Sequence, residues 1–363
     1  MRRQFVVGTA ALAASVPALV ACSSGESAEE ATRHLRRPGT LTIGDRALLL
    51  RELVRYATLA PSSHNTQCWR FRLQERSIKI EPDLSRRCPV VDPDDHHMFV
   101  SLGCATENLV HAALANGLQA GASFDPADSG SVAVSLEATK AHASPLFQAI
   151  TERQCTRGDY DGKPLSRDEL RLLELAGSCD GVRVLLLTER TALEMVLEYV
   201  VAGNTAQMND PAFVEELKTW IRFSSDEAIR TGDGLFTGAS GNPVMPRWLG
   251  SRMLGLFFTA KSENERYARQ VRNSAGIAVF VADVSDKAHW LETGRCYERF
   301  ALQATALGIR NALLNQPVEV GSIRPQFATA MGLGDRRPDL VVRFGRGPTL
   351  PQSMRRPIQS VLA

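Results

Sequence analysis

The chain has 363 residues, 44% hydrophobic and 23% charged, a globular composition with length for one large domain or two modest ones. A formal net charge of only +2, with no Lys/Arg cluster interleaved with aromatics, argues against nucleic acid as a partner. Cys68, Cys88, Cys104, Cys155, Cys179 and Cys296 are scattered without a C-x-x-C, so no zinc or dense disulfide framework is implied, and buried apolar packing is their expected role.

Met1-Arg2-Arg3-Gln4-Phe5 opens a twin-arginine segment, and an uncharged run follows to Ala21. Gly8 and Pro17 lie within that short run, which reads as an export signal rather than a spanning helix. Leu19-Val20-Ala21-Cys22 resembles the site at which bacterial lipoproteins are cleaved and acylated on cysteine. Residues 1–22 are therefore expected to be a lipoprotein-type signal and residues 23–40 a flexible tether. The expected location is the cell envelope, reached by the twin-arginine pathway and held by a lipid on Cys22.

Leu49, Leu50, Leu53, Val54 and Ala57 recur at helical spacing and run into Pro61, where a helix must stop or bend. Trp69, Phe71 and Leu73 then alternate with Arg70 and Arg72, which predicts a strand, and Ile78 to Ile80 predicts its hairpin partner. Between helix and strand lie Pro61, Ser62, Ser63, His64, Asn65, Thr66 and Gln67. Such a loop can hydrogen-bond a flat heterocycle, or it can be a polar turn that closes the helix. Asp92-Pro-Asp-Asp-His-His97 invites a metal reading, but adjacent ligands diverge, and an acidic helix entry is the better account. No metal is expected.

A small-residue helix is expected from Phe99 to Leu118, with a near copy from Glu292 to Ile309. Gly103 and Gly294, Glu107 and Glu298, Ala113 and Ala304, and Gly117 and Gly308 are each 191 residues apart. So long a period indicates a duplicated domain rather than a solenoid. The division is placed at 41–150 and 151–363. Ser166-Arg-Asp-Glu169 is a capping box opening a helix to Ala176, and Val182 to Leu187 is a strand. Residues of about 189–274 have no counterpart in the first half and are either a lid over a site or an arm bracing the other half. Gly276 to Val281 and Leu340 to Phe344 read as buried strands. The glycine pairs Gly332/Gly334 and Gly345/Gly347 lack a strand-to-helix setting, so no dinucleotide fingerprint exists.

The stretch Ala60 to Phe71, A-P-S-S-H-N-T-Q-C-W-R-F, resembles the flavin-binding loop of the nitroreductase superfamily, with Cys68 in place of a proline. Thr151 to Tyr160 resembles the superfamily's opening R-x-S-x-R-x-[FY], with Cys155 in place of the serine, and Ala312 to Glu319 resembles the segment that passes the isoalloxazine edge. Arg355-Arg356 resembles its closing basic pair. The resemblance implies an α+β nitroreductase-like fold in two tandem degenerate copies, an intramolecular pseudo-dimer like the Acg group, with one FMN per chain. It implies Pro61, Ser62, Ser63, Asn65 and Gln67 at the ring or ribityl chain, and Gln316 and Val318 at the ring edge. Arg153, Cys155 and Arg157, with Arg355 and Arg356, would surround the phosphate. Trp220, Phe223, Leu235 and Phe236 are candidates for an apolar cover. His64 is either a proton donor to the flavin or a histidine that hydrogen-bonds its own loop, and no catalytic residue is assigned. Two functions follow: an FMN-dependent oxidoreductase with an unknown acceptor and electron donor, or a non-catalytic protein that sequesters FMN beneath a closed lid.

Overall fold

The computed structural model describes residues 27–38 and 45–363. The twin-arginine pair and Cys22 lie outside the described residues. Ser27 opens α1 (Ala28–Leu35) by accepting from the Glu30 amide. This helix corrects the tether expected there. The acidic residues that read as solvated chain, Glu29 and Glu30, occupy its first turn, where they face the positive end of the helix dipole. Arg36 then anchors it, donating to the carbonyls of Thr151 at 3.1 Å and Arg153 at 3.0 Å while buried.

The first half follows its hydrophobic pattern. Asp45 caps α2 (Arg46–Thr58), which ends as expected just before Pro61. Then come β1 (Trp69–Leu73), β2 (Ser77–Pro82), α3 (His96–Ala115), β3 (Leu118–Asp125) and β4 (Ser131–Ala138). Short α4 (Pro145–Ala149) leads to the second half. There the predicted capping box, Ser166 with Glu169, starts α5 (Arg167–Gly177), followed by β5 (Val182–Leu187). The additional segment contains α6 (Arg190–Met208), α7 (Pro211–Trp220), β6 (Ile221–Arg222), α8 (Ser225–Thr231), β7 (Leu235–Phe236), α9 (Arg247–Phe257) and α10 (Ala260–Arg272). After it come β8 (Gly276–Ala282), α11 (Lys287–Ala306), β9 (Arg310–Leu313), α12 (Gln316–Glu319), α13 (Arg324–Ala330) and β10 (Pro338–Gly345).

The result is a mixed α+β fold with two four-stranded antiparallel sheets, ordered β1-β2-β4-β3 and β5-β8-β10-β9. In both, the strands stand first-second-fourth-third along the chain, with the long helix between the second and third. Those helices, α3 and α11, pack against each other at the centre. Gly103 and Gly294 sit reciprocally at their crossing: a Cβ on either would lie 2.0 Å from a carbonyl oxygen of the other helix, Leu291 or Val100. One continuous core joins Phe71, Ile80 and Val134 of the first half to Phe280, Phe300 and Phe344 of the second. Although α3 is long and apolar enough to cross a membrane, most of it is buried inside this core.

The additional segment divides into two parts. Leu193, Val196 and Val200 of α6 and Val271 of α10 cover the outer face of the second sheet, against Ile277, Val279 and Val281. That cover is why β8 is buried at every position and reads as a continuous apolar run. The part between them, α7 to α9, overhangs the gap between the halves. The tail crosses back: the Phe71 amide donates to Val361, and the Ala363 amide donates to Phe71, extending the edge of the first sheet.

Candidate functional site

Between the α2–β1 loop, α3, the 312–316 segment and the α7–α9 overhang lies a cavity of about 270 Å³. Pro61, Ser62, Ser63 and His64 form one wall, and Arg157, Arg343 and Gln316 reach it from the second half. Phe213, Leu217, Phe223, Leu235, Leu254 and Phe258 roof it with apolar surface.

The loop is held in an uncommon backbone conformation. His64, Asn65 and Gln67 have φ of 48°, 54° and 53°, the left-handed region that costs energy outside glycine. Ser62 Oγ accepts from the Gln67 amide at 2.9 Å, closing the loop on itself. Asn65 donates to the carbonyls of Gly234 and Met354 and accepts from Arg355 at 3.1 Å. Gln67 donates to the Gly232 carbonyl at 2.8 Å and accepts from the Arg356 amide at 2.8 Å. Arg355 also donates to the carbonyls of Thr58, Leu59 and Ala60, the last turn of α2 and the residues after it. The tail thus fixes the loop from behind while the first serines face the cavity.

The opposite wall is cationic. Among the described residues no carboxylate pairs with the Arg157 side chain, and the Cys155 thiol, then nearby phenols, raise its pKa. Arg343 is fully buried, stacked 4.1 Å over the Tyr160 ring, and donates to the carbonyls of Thr156 and Gly158. Its Nε and Nη1 have no hydrogen-bond partner, and neither does Gln316 Oε1. The orphaned buried donors of Arg343, beside an Arg157 that pairs with no carboxylate among the described residues, suit an anionic group with several acceptor oxygens.

His64 Nδ1 lies 3.3 Å from Ser63 Oγ, and burial, then the charges of Arg157 and His97, lower its pKa to about 4. At neutral pH it is an uncharged ring against the cavity wall. Asp92 caps α3 as expected, accepting the amides of His97 and Met98 at 3.0 Å. Asp92, His96 and His97 converge closely enough to hold a metal ion. Their side chains are nonetheless engaged: His96 with Asp339 at 2.9 Å, and His97 with Asn315 at 3.1 Å and Asp92 at 3.4 Å.

No protein-family model matches the sequence. Two proteins of Mycobacterium tuberculosis, from strains CDC 1551 and H37Rv, are each 25% identical over 330 residues, covering 86% of this chain and 90% of theirs. Their names assign them provisionally to the NAD(P)H nitroreductases. The similarity is to nitroreductases. Solved nitroreductases also match, from Desulfitobacterium hafniense with bound FMN (15% identity, 61% of this chain and 98% of that one, TM-score 0.39) and from Mycobacterium smegmatis with NADPH (14%, 56% and 87%, TM-score 0.36).

Of the residues that the nitroreductase resemblance singles out, Pro61, Ser62, Ser63, Arg157 and Gln316 line the cavity. The others do not, each for a visible reason. Arg153 is turned into the core, paired with Glu298 at 3.2 Å and donating to the Leu59 carbonyl. Cys155 lies behind Arg157, its backbone bridged to Asn311. Asn65, Gln67, Arg355 and Arg356 are consumed in fixing the loop, and Val318 is buried beneath α6 and α13. In the overhang, Phe223 and Leu235 face the cavity as expected. Trp220 instead packs on Arg86, and Phe236 joins Ala31 and Met354 in a separate cluster. Arg343 was missed, although an arginine inside an otherwise apolar strand was a signal; His97 and Tyr267, a hydrogen-bond partner of Gln316, had none.

Proposed function

We propose that this cavity binds FMN and that the chain is an FMN-dependent oxidoreductase of nitroreductase type. The observation that carries this reading is Arg157, which pairs with no carboxylate among the described residues, with the half-satisfied Arg343, facing the Pro61–Ser63 wall across one cavity. The two arginines would take the phosphate; Pro61, Ser62, Ser63 and Gln316 would hold the ring system. When bound, FMN supplies two-electron transfer between a donor and an acceptor. The chain's own contribution is positioning and shielding. Arg355 and Gln67 keep the loop in its costly conformation before any ligand arrives, so no ordering energy is spent on binding. The apolar roof excludes water. His64, uncharged at neutral pH, presents a neutral imidazole to the cavity.

The equal strand order of the two sheets, the reciprocal glycines and the 191-residue spacing support an origin by tandem duplication, with one composite site at the seam. We also propose, from the sequence alone, twin-arginine export and a lipid on Cys22. The apolar roof favours one alternative, an FMN-sequestering protein.

The test is a visible spectrum of the purified chain with its flavin content. Bound FMN is expected, and Arg157→Ala is expected to lower flavin affinity by about tenfold to a hundredfold, the loss of one charge-assisted pair. Flavin content unchanged in that variant would remove the phosphate assignment. Reduction of the bound flavin by NADPH or by a quinol separates the enzyme from the sequestering protein.

A further inference from the structure

The α5–β5 turn stands in the second half where the α2–β1 loop stands in the first, and it carries no serine-rich loop. It carries Cys179. The turn is tight: the Cys179 amide donates to the Val182 carbonyl at 2.9 Å, the Val182 amide returns a bond to Cys179, and Gly181 supplies φ of +79°. Cys179 is half-exposed, and its Sγ lies 3.2 Å from that of Cys296, which is fully buried on α11. A disulfide has its sulfurs about 2.05 Å apart, so bond formation needs an approach of about 1 Å.

The surroundings favour thiol chemistry over metal binding or simple packing. Arg299 Nη2 lies 3.1 Å from Cys296 Sγ. That guanidinium is held in place by Glu107 at 3.1 Å and by the Ala176 carbonyl at 3.2 Å. A fixed cation repels a metal ion and draws both thiols down. At Cys296 the hydrogen bond to Cys179, then burial, outweigh it and keep that thiol protonated until Cys179 has reacted. Cys68, by contrast, sits in the core without such a cation, and burial pushes its thiol up to about 12. At Cys179 the hydrogen bond from Cys296 lowers the pKa to about 7, with Arg299 contributing and burial opposing. Exposure sets the order: the outer sulfur meets reagents, and the inner one lies directly behind it.

We propose that Cys179 and Cys296 are a reactive dithiol site for low-molecular-weight disulfides. The Cys179 thiolate attacks one sulfur of the small disulfide, forming a mixed disulfide and expelling one thiolate. Cys296 loses its proton and attacks Cys179 Sγ, and the second small thiolate leaves. The protein pair is oxidised by two electrons, the small disulfide is reduced to two thiols, and the two protein protons end on them.

The probe is oxidised glutathione, applied to the pre-reduced full chain. Expected is the loss of two free thiols and, by mass spectrometry without reduction, a cross-link between the peptides holding Cys179 and Cys296. Cys296→Ser is expected to stop at a glutathione adduct on Cys179, and Cys179→Ser to leave Cys296 unreacted over the same time. An undiminished thiol count in the folded wild-type protein, or a cross-link through other cysteines, would overturn the proposal. Because the wild-type peptide map decides by itself, a variant that fails to fold leaves the outcome intact.

Discussion

Arg153 and Arg157 are four positions apart in one extended segment, two either side of Cys155, yet they do opposite things. Arg157 faces the cavity, while Arg153 is 2% exposed and pairs with the buried Glu298 carboxylate at 3.2 Å. Arg153→Ala would leave that carboxylate buried and unpaired, and is expected to cost about 3–5 kcal/mol of stability, read by chemical denaturation. Replacing both partners with apolar residues of similar volume should recover most of the loss. The same carboxylate gives a pH dependence with a definite sign. Burial raises Glu298 from its ordinary 4.5 to about 7, against the pull of Arg153, and raises Asp339 from 3.8 to about 7. Their native-state protons are given up on unfolding, so their contribution is intact below about pH 4 and is lost as pH rises through 7. Glu107, held down at about 2 by His111 and then Arg299 and Arg295 despite burial, acts oppositely: its contribution is present above 4.5 and fades as pH falls toward 2. Glu298→Gln is therefore expected to flatten the decline in stability between pH 4.5 and 7; an unchanged slope would contradict the assignment. That the 151–160 segment holds a cavity-facing arginine was legible in its resemblance to the nitroreductase opening. Which arginine it would be was not, because the decision lies with a glutamate on a distant helix.

At the scale of elements, the repeated helix was the most legible feature. The shared glycines mark the place where α3 and α11 meet most closely, and each helix needs the other's missing side chain. Gly103→Ala and Gly294→Ala are each expected to cost at least about 1–3 kcal/mol in an equilibrium denaturation curve, since both colliding atoms are backbone. The additional segment was harder. Its outer helices brace a sheet and its middle overhangs the cavity, so the two sequence expectations, arm and lid, each describe a different part. Apolar periodicity tells that a helix has a buried face but not what lies against it. The misread α1 has a similar cause: a short helix whose charges follow the dipole looks like solvated chain until its anchor, Arg36, finds carbonyls far along the sequence.

For the whole molecule, the first half supplies the loop and the tail sets its shape. Arg355 alone satisfies three carbonyls at the end of α2 and the Asn65 side chain. Arg355→Ala is expected to lower the melting temperature of the flavin-free protein and to reduce bound flavin in parallel. Arg157→Ala should affect the flavin while leaving that melting temperature nearly unchanged, which separates support of the loop from contact with the ligand. The serine-rich wall was plain in the sequence; that its carboxamides would turn backwards to grip the tail was not, since side-chain direction depends on three left-handed residues in a row of seven. The dependence of Asn65 and Gln67 on residues 354–356 also imposes an order in time. A ribosome that has made the loop has nearly three hundred residues still to translate before its fasteners emerge, so the nascent chain cannot set the loop's shape until residues 354–356 have been made.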